Sequence, residues 1–322
     1  MIVDKETFFK LQGKIPSIPF TQSQAWIENM YPDGLGLVFF VNSTEDVRIC
    51  CAGRISKKRF VGRKLSVDGL CTKPDVNATE LRKFFTSLCE EGYEIITLSD
   101  IESFSSEFEL AIRRSGFIRP LGLLLCPMTM YVDTQEPFHF HRNWKRNVKR
   151  SIENGNQFEV VETPSERKAS DFVRMFNEQK ERKGLSYGFS VENIRHLMQD
   201  SRYKMFLVSD KDGYRLAGRI VFISGNMAYD VYASNSYEGM RTGAIYQVQE
   251  GLLSYLHDEG VEHFDYGRIP PSSDEMDDIY LAKSYSGGYP VSYNGEWVHH
   301  KSLLLQYILS FRLFFLQKQR IY

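Results

Sequence analysis

Cysteine is scarce in this sequence, and the few that occur show no spacing typical of a disulfide framework or a metal site. The five cysteines among 322 residues include no CxxC pair, and their odd number argues against complete pairing. We therefore expect reduced, mostly buried thiols and a reducing compartment. His139 and His141 form an HxH pair, but no third ligand has a suitable spacing, so we expect no metal.

The sequence also lacks an excess of either charge and a long hydrophobic run. The 40 Lys and Arg are balanced by 41 Asp and Glu, which excludes whole-surface electrostatic binding to nucleic acid or membrane as the organising feature. The most apolar stretch, 303–316, contains Gln306 and Arg312 and is shorter than the roughly 18 residues of a spanning helix. The N-terminal segment contains Asp4 and Glu6 and no apolar run of the kind found in a signal peptide. We therefore expect a cytoplasmic protein.

What the sequence does have is the length of two domains, at roughly 100–200 residues per domain. Hydrophobic periodicity and turn residues predict mixed α/β structure in the first half. A helix begins at Asn77 or Thr79 and ends at Gly92, and another covers 106–114. The predicted strands are 35–42, 47–56, 95–98 and one long returning strand over 117–132, with Pro120 and Pro127 as the places for a bend.

The second half repeats this organisation with clearer signals. We predict a helix at 143–153, then a strand, a helix and three strands joined by turns that contain Gly or Asp, at 204–209, 215–223 and 227–233. A helix at 242–259, a strand at 262–266 and a loop over 269–280 follow. This order is that of an acyltransferase of the GNAT type. We expect two such α/β domains in tandem around a shared cleft, at 1–137 and 138–322, with about the last 25 residues packed on the first.

The densest positive charge lies in residues 139–150, HFHRNWKRNVKR, which contain five cations and no acid. On a helix these cations form two basic ridges, while Trp144, Val148 and Ile152 face the core. Arginine presents a fork of donors to phosphate oxygens, so this surface suits a phosphate or pyrophosphate group. A solvated helix face balanced by acids elsewhere is the alternative. The candidate contacts are Arg142, Lys145, Arg146 and Lys149.

A second candidate is the turn at 238–244, EGMRTGA, which leads directly into a predicted helix. Glycine at a helix N-terminus lets backbone N–H groups approach an anion, and the helix dipole favours the negative charge. In acetyltransferases the pyrophosphate of coenzyme A binds at this place. Arg241, Gly243 and Ala244 are the candidate cofactor-binding residues, although glycine before a helix is also common in ordinary loops.

Three segments near the end of the chain carry a family resemblance: FDYGR at 264–268, IYLAKSYSGG at 279–288 and YNGEW at 293–297. They resemble the FemABX-like aminoacyltransferases and relatives with a BioF2-like acetyltransferase domain. Asp265 and Gly267 match the family's strand end, and Lys283 falls at the family lysine, although alanine replaces the aromatic residue before it. The basic segment with Trp144 and the stretch FTQSQAW at 20–26 also look like the family.

This resemblance implies tandem GNAT-like domains and transfer of an acyl group to an amine. It makes Lys283 the candidate positive charge for the tetrahedral oxyanion, since preorganised donors supply much of the rate in acyl transfer. Asp265 is the candidate base for the amine or, equally, a structural acceptor for loop N–H groups. Arg219 on a central strand needs a partner or an anion. The remaining candidates for contact with the acceptor are Tyr232, Tyr266 and Tyr285.

The resulting hypothesis is an N-acyltransferase of FemABX-like type, without a tightly bound cofactor, acting on an amine of a phosphate-bearing cell-envelope precursor such as that of peptidoglycan. Its donor would be aminoacyl-tRNA. An acyl-coenzyme A dependent enzyme acting on an amino sugar or surface polysaccharide, and a non-catalytic binding protein of the same fold, are the alternatives. The apolar segment 301–322 suggests peripheral membrane contact, or packing on the first domain or a second subunit, so self-association stays open.

Overall fold

The computed structural model describes residues 1–59, 62–120, 128–269 and 278–316, which fall into two compact units. Unit 1 consists of Met1–Thr129 and the chain from Val291 onwards, and unit 2 consists of Met130–Ile269 and the segment that ends at Pro290. The predicted domains were 1–137 and 138–322, with about the last 25 residues packed on the first; by contacts, the chain from Val291 onwards groups with unit 1.

The elements of unit 1 begin with a short N-terminal strand and helix. Its strands are β1 (Ile2–Val3), β2 (Leu37–Val41), β3 (Ile49–Lys58), β4 (Gly62–Asp68), β5 (Cys71–Thr72) and β6 (Ile95–Ser103). Its helices are α1 (Lys5–Gln12), α2 (Gln24–Met30), α3 (Ala78–Glu90) and α4 (Ser106–Arg114), with a 3-10 turn at Phe20–Gln22.

Unit 2 and the return to unit 1 follow in the chain. The strands of unit 2 are β7 (Met128–Asp133), β8 (Gln157–Val161), β9 (Tyr203–Ser209), β10 (Arg215–Ser224), β11 (Met227–Asn235) and β12 (His263–Ile269). Its helices are α5 (Arg142–Glu153), α6 (Glu166–Lys183), α7 (Val191–Leu197), α8 (Tyr237–Thr242), α9 (Ala244–Asp258) and α10 (Asp278–Ser284). The chain then forms β13 (Tyr289–His300) and α11 (Leu303–Leu316).

The sheet of unit 1 has the order β1-β2-β3-β4-β6-β13, with β5 beside β3. Its pairs are antiparallel except β4 and β6, which run parallel. Helix α3 begins with a capping box. The side chain of Asn77 accepts a hydrogen bond from the backbone N–H of Glu80, and the side chain of Glu80 accepts one from the backbone N–H of Asn77. The helix then buries Phe84, Phe85 and Leu88 against the sheet in one hydrophobic core.

The sheet of unit 2 has the order β7-β12-β11-β10-β9-β8. Strands β8 to β11 pair antiparallel in a meander, and β11 and β12 pair in parallel. Helix α6 contributes Phe172 and Met175 to the core, and α9 contributes Leu252, Leu253 and Leu256, all of them without solvent exposure. This architecture confirms the predicted α/β class of mixed sheets with flanking helices.

Two local predictions differ in part from the structure. Of the strand predicted over 117–132, Ile118 makes an isolated bridge to Val298 and β7 begins at Met128, directly after Pro127; residues 121–127 lie outside the described part. The loop predicted over 269–280 is also replaced in part, because β12 runs on to Ile269 and α10 begins at Asp278; 270–277 are not described. In the portion of the chain that the structure describes, no helix has both the length and the apolar character needed to cross a membrane.

Candidate functional site

The candidate site lies in unit 2, where two parallel strands stop pairing with each other. Strands β11 and β12 pair through Met227 with His263, Ala228 with Phe264, and Tyr229 with Asp265. Beyond Tyr229 and Asp265 both strands continue, to Asn235 and Ile269, without further pairing to one another. The register of β11 against β10 shifts at the same level, since Val221 pairs with Asp230 and Ile220 with Tyr232. Such a bulge bends a strand and re-aims its side chains, which opens the sheet at this point.

An ion pair lies at this bulge. Arg219 on β10 donates from its guanidinium to a carboxylate oxygen of Asp230 on β11. The side chains are only 18% and 9% exposed, respectively. The Nε of Arg219 and the Oδ1 of Asp230 are buried and have no hydrogen-bond partner among the described residues. Buried charged groups are normally fully hydrogen-bonded. The pair therefore retains one donor and one acceptor that a polar ligand could use.

Lys283 holds a positive charge at the end of β12. It lies in the last turn of α10 and is half-buried. Its Nζ donates to the backbone carbonyls of Tyr266, Gly267 and Arg268, at 3.0, 2.9 and 3.3 Å. Three acceptors on one strand end fix the position of the ammonium group, next to the place where β11 and β12 separate.

Tyr266 connects the ion pair to this lysine. Its ring centroid is 5.7 Å from the guanidinium carbon of Arg219 and 6.0 Å from the Nζ of Lys283. Its hydroxyl donates to the Oγ of Ser286 at 2.5 Å, and Ser286 donates to the carbonyl of Lys283 at 2.7 Å. Burial raises the pKa of the Tyr266 phenol, so the hydroxyl is neutral near pH 7. Two cations that the sequence places 64 residues apart therefore lie near the same ring.

Asp265, the candidate for the base or for a structural acceptor, is buried within β12, two residues before Gly267. Its Oδ1 accepts a hydrogen bond from the backbone N–H of Gly267 at 2.7 Å, and Gly267 has a φ of +75°. An Asp side chain that accepts from the N–H two residues later stabilises a turn of this kind. These contacts match the structural alternative that we gave for Asp265.

The two other candidate tyrosines lie in separate aromatic contacts. Tyr285 stacks on the ring of His141 with centroids 4.2 Å apart, and its carbonyl accepts from the N–H of His141 at 2.8 Å. The lysine segment is thereby joined to the start of α5. Tyr232 packs on Phe189 at 4.4 Å, and burial raises the pKa of its phenol to about 12. Asp230 was not among the sequence candidates; only the unexplained Arg219 on the neighbouring strand pointed to it.

The basic helix α5 is amphipathic, as predicted, with one exception. Trp144 and Val148 are buried, but Ile152 is 59% exposed instead of facing the core, because α5 ends at Glu153. The cations are all exposed: Arg142, Lys145, Arg146, Lys149 and Arg150. Lys149 lies 3.7 Å from Glu153. Burial raises the pKa of the Glu250 carboxyl, and the positive charge of Lys145 nearby opposes this rise. Two of the five cations, Lys145 and Lys149, therefore have an acid close to them.

The glycine turn before α9 packs closely on α5. Gly243 has a φ of +84°, and a Cβ on it would lie 2.4 Å from the carbonyl oxygen of Asn147. Ala244 is fully buried. Residues 237–242 form the short helix α8, in which Arg241 makes a two-pronged ion pair with Glu238. The glycine is therefore required for the approach of two backbones.

Arg241 does line a cavity of about 410 Å³ together with residues of both charges. The positively charged lining residues are Arg150, Lys211 and Arg241, and the negatively charged ones are Asp210, Asp212 and Glu238. Gly243 and Ala244 are not among the lining residues. The structure thus brings Arg241 together with one cation of the basic helix, and it does not bring these three predicted cofactor residues into one cavity.

Comparison with known proteins identifies the fold. Residues 139–278 match the family described as acetyltransferase (GNAT) domain. FemX is 13% identical with a TM-score of 0.77, over 96% of this chain and 99% of FemX. L-PGS from Bacillus licheniformis is 15% identical with a TM-score of 0.65, over 98% of both chains. A tandem GNAT protein from the clavulanic acid biosynthesis pathway is 10% identical with a TM-score of 0.50, over 94% of this chain and 98% of that protein. The search of curated proteins gave no match.

At these identities the likeness to solved structures is one of fold, and it extends over nearly the whole chain. The sequence motifs at 264–268 and 279–288, which carried the family resemblance, both lie at the split of β11 and β12. Residues 139–278 thus match the acetyltransferase (GNAT) domain family, and the chain as a whole shares its fold with FemX and L-PGS.

Proposed function

We propose that the chain transfers an acyl or aminoacyl group to an amine of a cell-envelope precursor, by direct attack of the amine on the donor. The observation that best supports this proposal is the ammonium group of Lys283, held by three carbonyls at the end of β12 where β11 and β12 separate. A fixed positive charge beside an open strand end suits the oxyanion that forms when an amine attacks an ester or thioester.

The proton of the amine needs an acceptor at the same place. A new C–N bond forms, the C–O bond of an ester or the C–S bond of a thioester breaks, and the ammonium nitrogen loses one proton. In this proposal the Oδ1 of Asp230 accepts that proton and later returns it to the leaving group. Asp230 suits the role better than Asp265, because its Oδ1 has no partner among the described residues, whereas Asp265 holds the turn at Gly267.

The precursor is proposed to carry phosphate, as nucleotide-linked and lipid-linked peptidoglycan precursors do. Support comes from α5, where Arg142, Arg146 and Arg150 follow each other at four-residue spacing and are all exposed. Arginine side chains in such a row can bind several phosphate oxygens in a bidentate manner. The same surface would serve an aminoacyl-tRNA donor, and its binding would then weaken as salt is added.

An acyl-coenzyme A donor is the second candidate. The match of residues 139–278 to the acetyltransferase (GNAT) domain favours it. The pyrophosphate site that we expected for it at Gly243 finds little support, since that glycine faces the carbonyl of Asn147. A coenzyme A donor would then have to use the cavity that Arg150, Lys211 and Arg241 line.

The test offers both donors to the purified chain with a nucleotide-linked peptidoglycan precursor as the acceptor. Mass spectrometry then follows the gain of one acyl or aminoacyl group in amide linkage. A thermal-shift titration with acetyl-coenzyme A, with desphospho and adenine-only controls, reports donor binding separately, because a ligand at 100 times its Kd adds about 2.7 kcal/mol of stability. Amide formation with either donor supports the proposal. Donor hydrolysis without an amide product, or no reaction with either donor, would overturn it.

A further inference from the structure

The last helix of the described chain exposes a continuous apolar face. On α11, Leu303, Leu304, Tyr307, Ile308 and Phe311 recur at the spacing that places side chains on one side of a helix. Each of them is between 54 and 70% exposed. The same spacing continues in the sequence at Phe314 and Phe315. Soluble proteins rarely expose a contiguous apolar patch of this kind unless it binds a partner or a membrane.

The charge of the segment is as uneven as its hydrophobicity. From residue 301 to residue 322 the sequence contains four cations and no Asp or Glu. The cations are Lys301, Arg312, Lys318 and Arg320. This contrasts with the whole chain, in which acids and bases balance. The segment therefore combines an apolar face with a local positive charge.

We propose that α11 docks on an anionic lipid surface, with its apolar face in the boundary between headgroups and acyl chains. Its 14 residues make about 21 Å of helix, shorter than the roughly 30 Å hydrocarbon core, so the helix lies on the membrane. Tyr307 is of the aromatic type enriched at the membrane interface, and Phe311 is typical of the apolar face of helices that lie in that interface. This inference does not depend on the proposed acyl transfer.

Charge favours a lipid surface over a second copy of the chain as the occupant. A symmetric dimer through α11 would bring the same segment of both copies together, and with it eight cations and no acids. Like charges at a shared interface repel each other, whereas anionic headgroups neutralise them. The cations and the apolar face thus favour the same partner.

The test measures co-sedimentation of the full chain with vesicles of phosphatidylcholine alone and of phosphatidylcholine with phosphatidylglycerol. We expect binding to the anionic vesicles, weaker at high salt, and about tenfold weaker in the double variant Leu304→Asp with Ile308→Asp. Leu35→Asp is the matched control, because Leu35 is 68% exposed and Leu304 69%, and Leu35 lies outside the helix. Circular dichroism verifies that all variants are folded.

Retained binding by Leu35→Asp together with loss in the double variant supports the docking surface. Equal binding by all three proteins, or no binding to anionic vesicles, would overturn it. Light scattering of the same proteins without vesicles tests the other occupant. A wild-type dimer that the double variant converts to monomer would assign the face to a second copy and also overturn the proposal.

Discussion

Arg219 and Asp230 form an ion pair between neighbouring strands, and each of them keeps one buried polar atom without a partner in the described structure. The pair lies at the bulge of β11, and Arg219 approaches the ring of Tyr266. An ion pair built only for stability would be expected to satisfy all of its buried atoms, because unsatisfied ones destabilise the fold. The geometry therefore favours a binding role at the split of β11 and β12.

Replacement of Asp230 by Asn should lower acyl transfer by roughly 10²- to 10⁴-fold, the range of general-base catalysis. Shape is retained, but the amide cannot take the proton of the attacking amine. Donor binding, followed by the thermal shift that the donor causes, should stay close to that of the wild type. Glu178→Gln is the control, since it also breaks an ion pair with an arginine of unit 2, Arg174. Wild-type turnover in Asp230→Asn would remove the proposed base.

Replacement of Lys283 by Met should have two separate effects. Loss of the positive charge should lower turnover by about 10²- to 10³-fold if the ammonium stabilises the oxyanion. Loss of the hydrogen bonds to the carbonyls of Tyr266, Gly267 and Arg268 should lower the free energy of unfolding by about 1–3 kcal/mol. Lys183→Met, at an exposed lysine of the same unit, should change neither quantity.

Urea denaturation and turnover measured on the same preparation separate these effects. A variant that loses stability but keeps its turnover would show that Lys283 only stabilises the end of β12, which would contradict the proposed catalytic role. A variant that loses turnover while folded at the assay temperature would agree with the proposed role.

Much of unit 2 could be predicted from the sequence because its strands are short and separated by turn residues. The strand predicted over 204–209 is Tyr203–Ser209, and the strand predicted over 215–223 is Arg215–Ser224. Gly213 has a positive φ in the turn between them, which other residues rarely adopt. Local sequence decides such elements, so local rules find them. Arg219 was likewise recognisable as an unusual residue on a predicted strand, whereas Lys283 was a candidate through the family resemblance.

The ion pair joins the two strands of one hairpin, and the register from its turn places Asp230 opposite Val221, on the same face of the sheet as Arg219. The bulge itself could not be predicted from the strand, and it makes Ile220 pair with Tyr232 instead of Val231. Lys283 becomes fixed only when α10 meets the end of β12, which follows from no local pattern. Ile152 has helical spacing for the core, but α5 ends before a neighbour covers it.

Gly243 provides a test of the packing between α5 and α9. Gly243→Ala should lower the free energy of unfolding by about 1–2 kcal/mol, because alanine is strained at a positive φ. The loss should be larger still because the new Cβ would lie 2.4 Å from the carbonyl oxygen of Asn147. Gly184→Ala is the matched control: Gly184 also has a positive φ, but nothing lies within 4 Å of its Cβ position. Urea denaturation should therefore show the larger loss for Gly243→Ala. Equal losses would contradict the close approach of the two helices.

Asp100 should make the stability of unit 1 depend on pH. The carboxyl is buried on β6, where it accepts from the N–H of Leu70 at 3.2 Å and from the side-chain amide of Asn294 at 2.7 Å. Burial raises its pKa to about 6, against about 3.9 in an unfolded chain. Between these values the folded state keeps a proton that the unfolded state has released. Stability therefore falls as pH rises from about 4 to about 6, by about 3 kcal/mol in total.

The neutral variant Asp100→Asn isolates this contribution. As pH rises from about 4 to about 7, the free energy of unfolding of the variant minus that of the wild type should increase by about 3 kcal/mol. This change does not depend on the value of the difference at low pH. Asp75→Asn should shift in the opposite direction and at lower pH, because the hydrogen bond from Arg48 lowers the pKa of Asp75 and its stabilisation is lost as pH falls below the unfolded value of about 4. Urea denaturation from about pH 7 down to below about pH 4 measures both differences. A constant difference for Asp100→Asn would mean that the carboxyl titrates alike in the folded and unfolded chain.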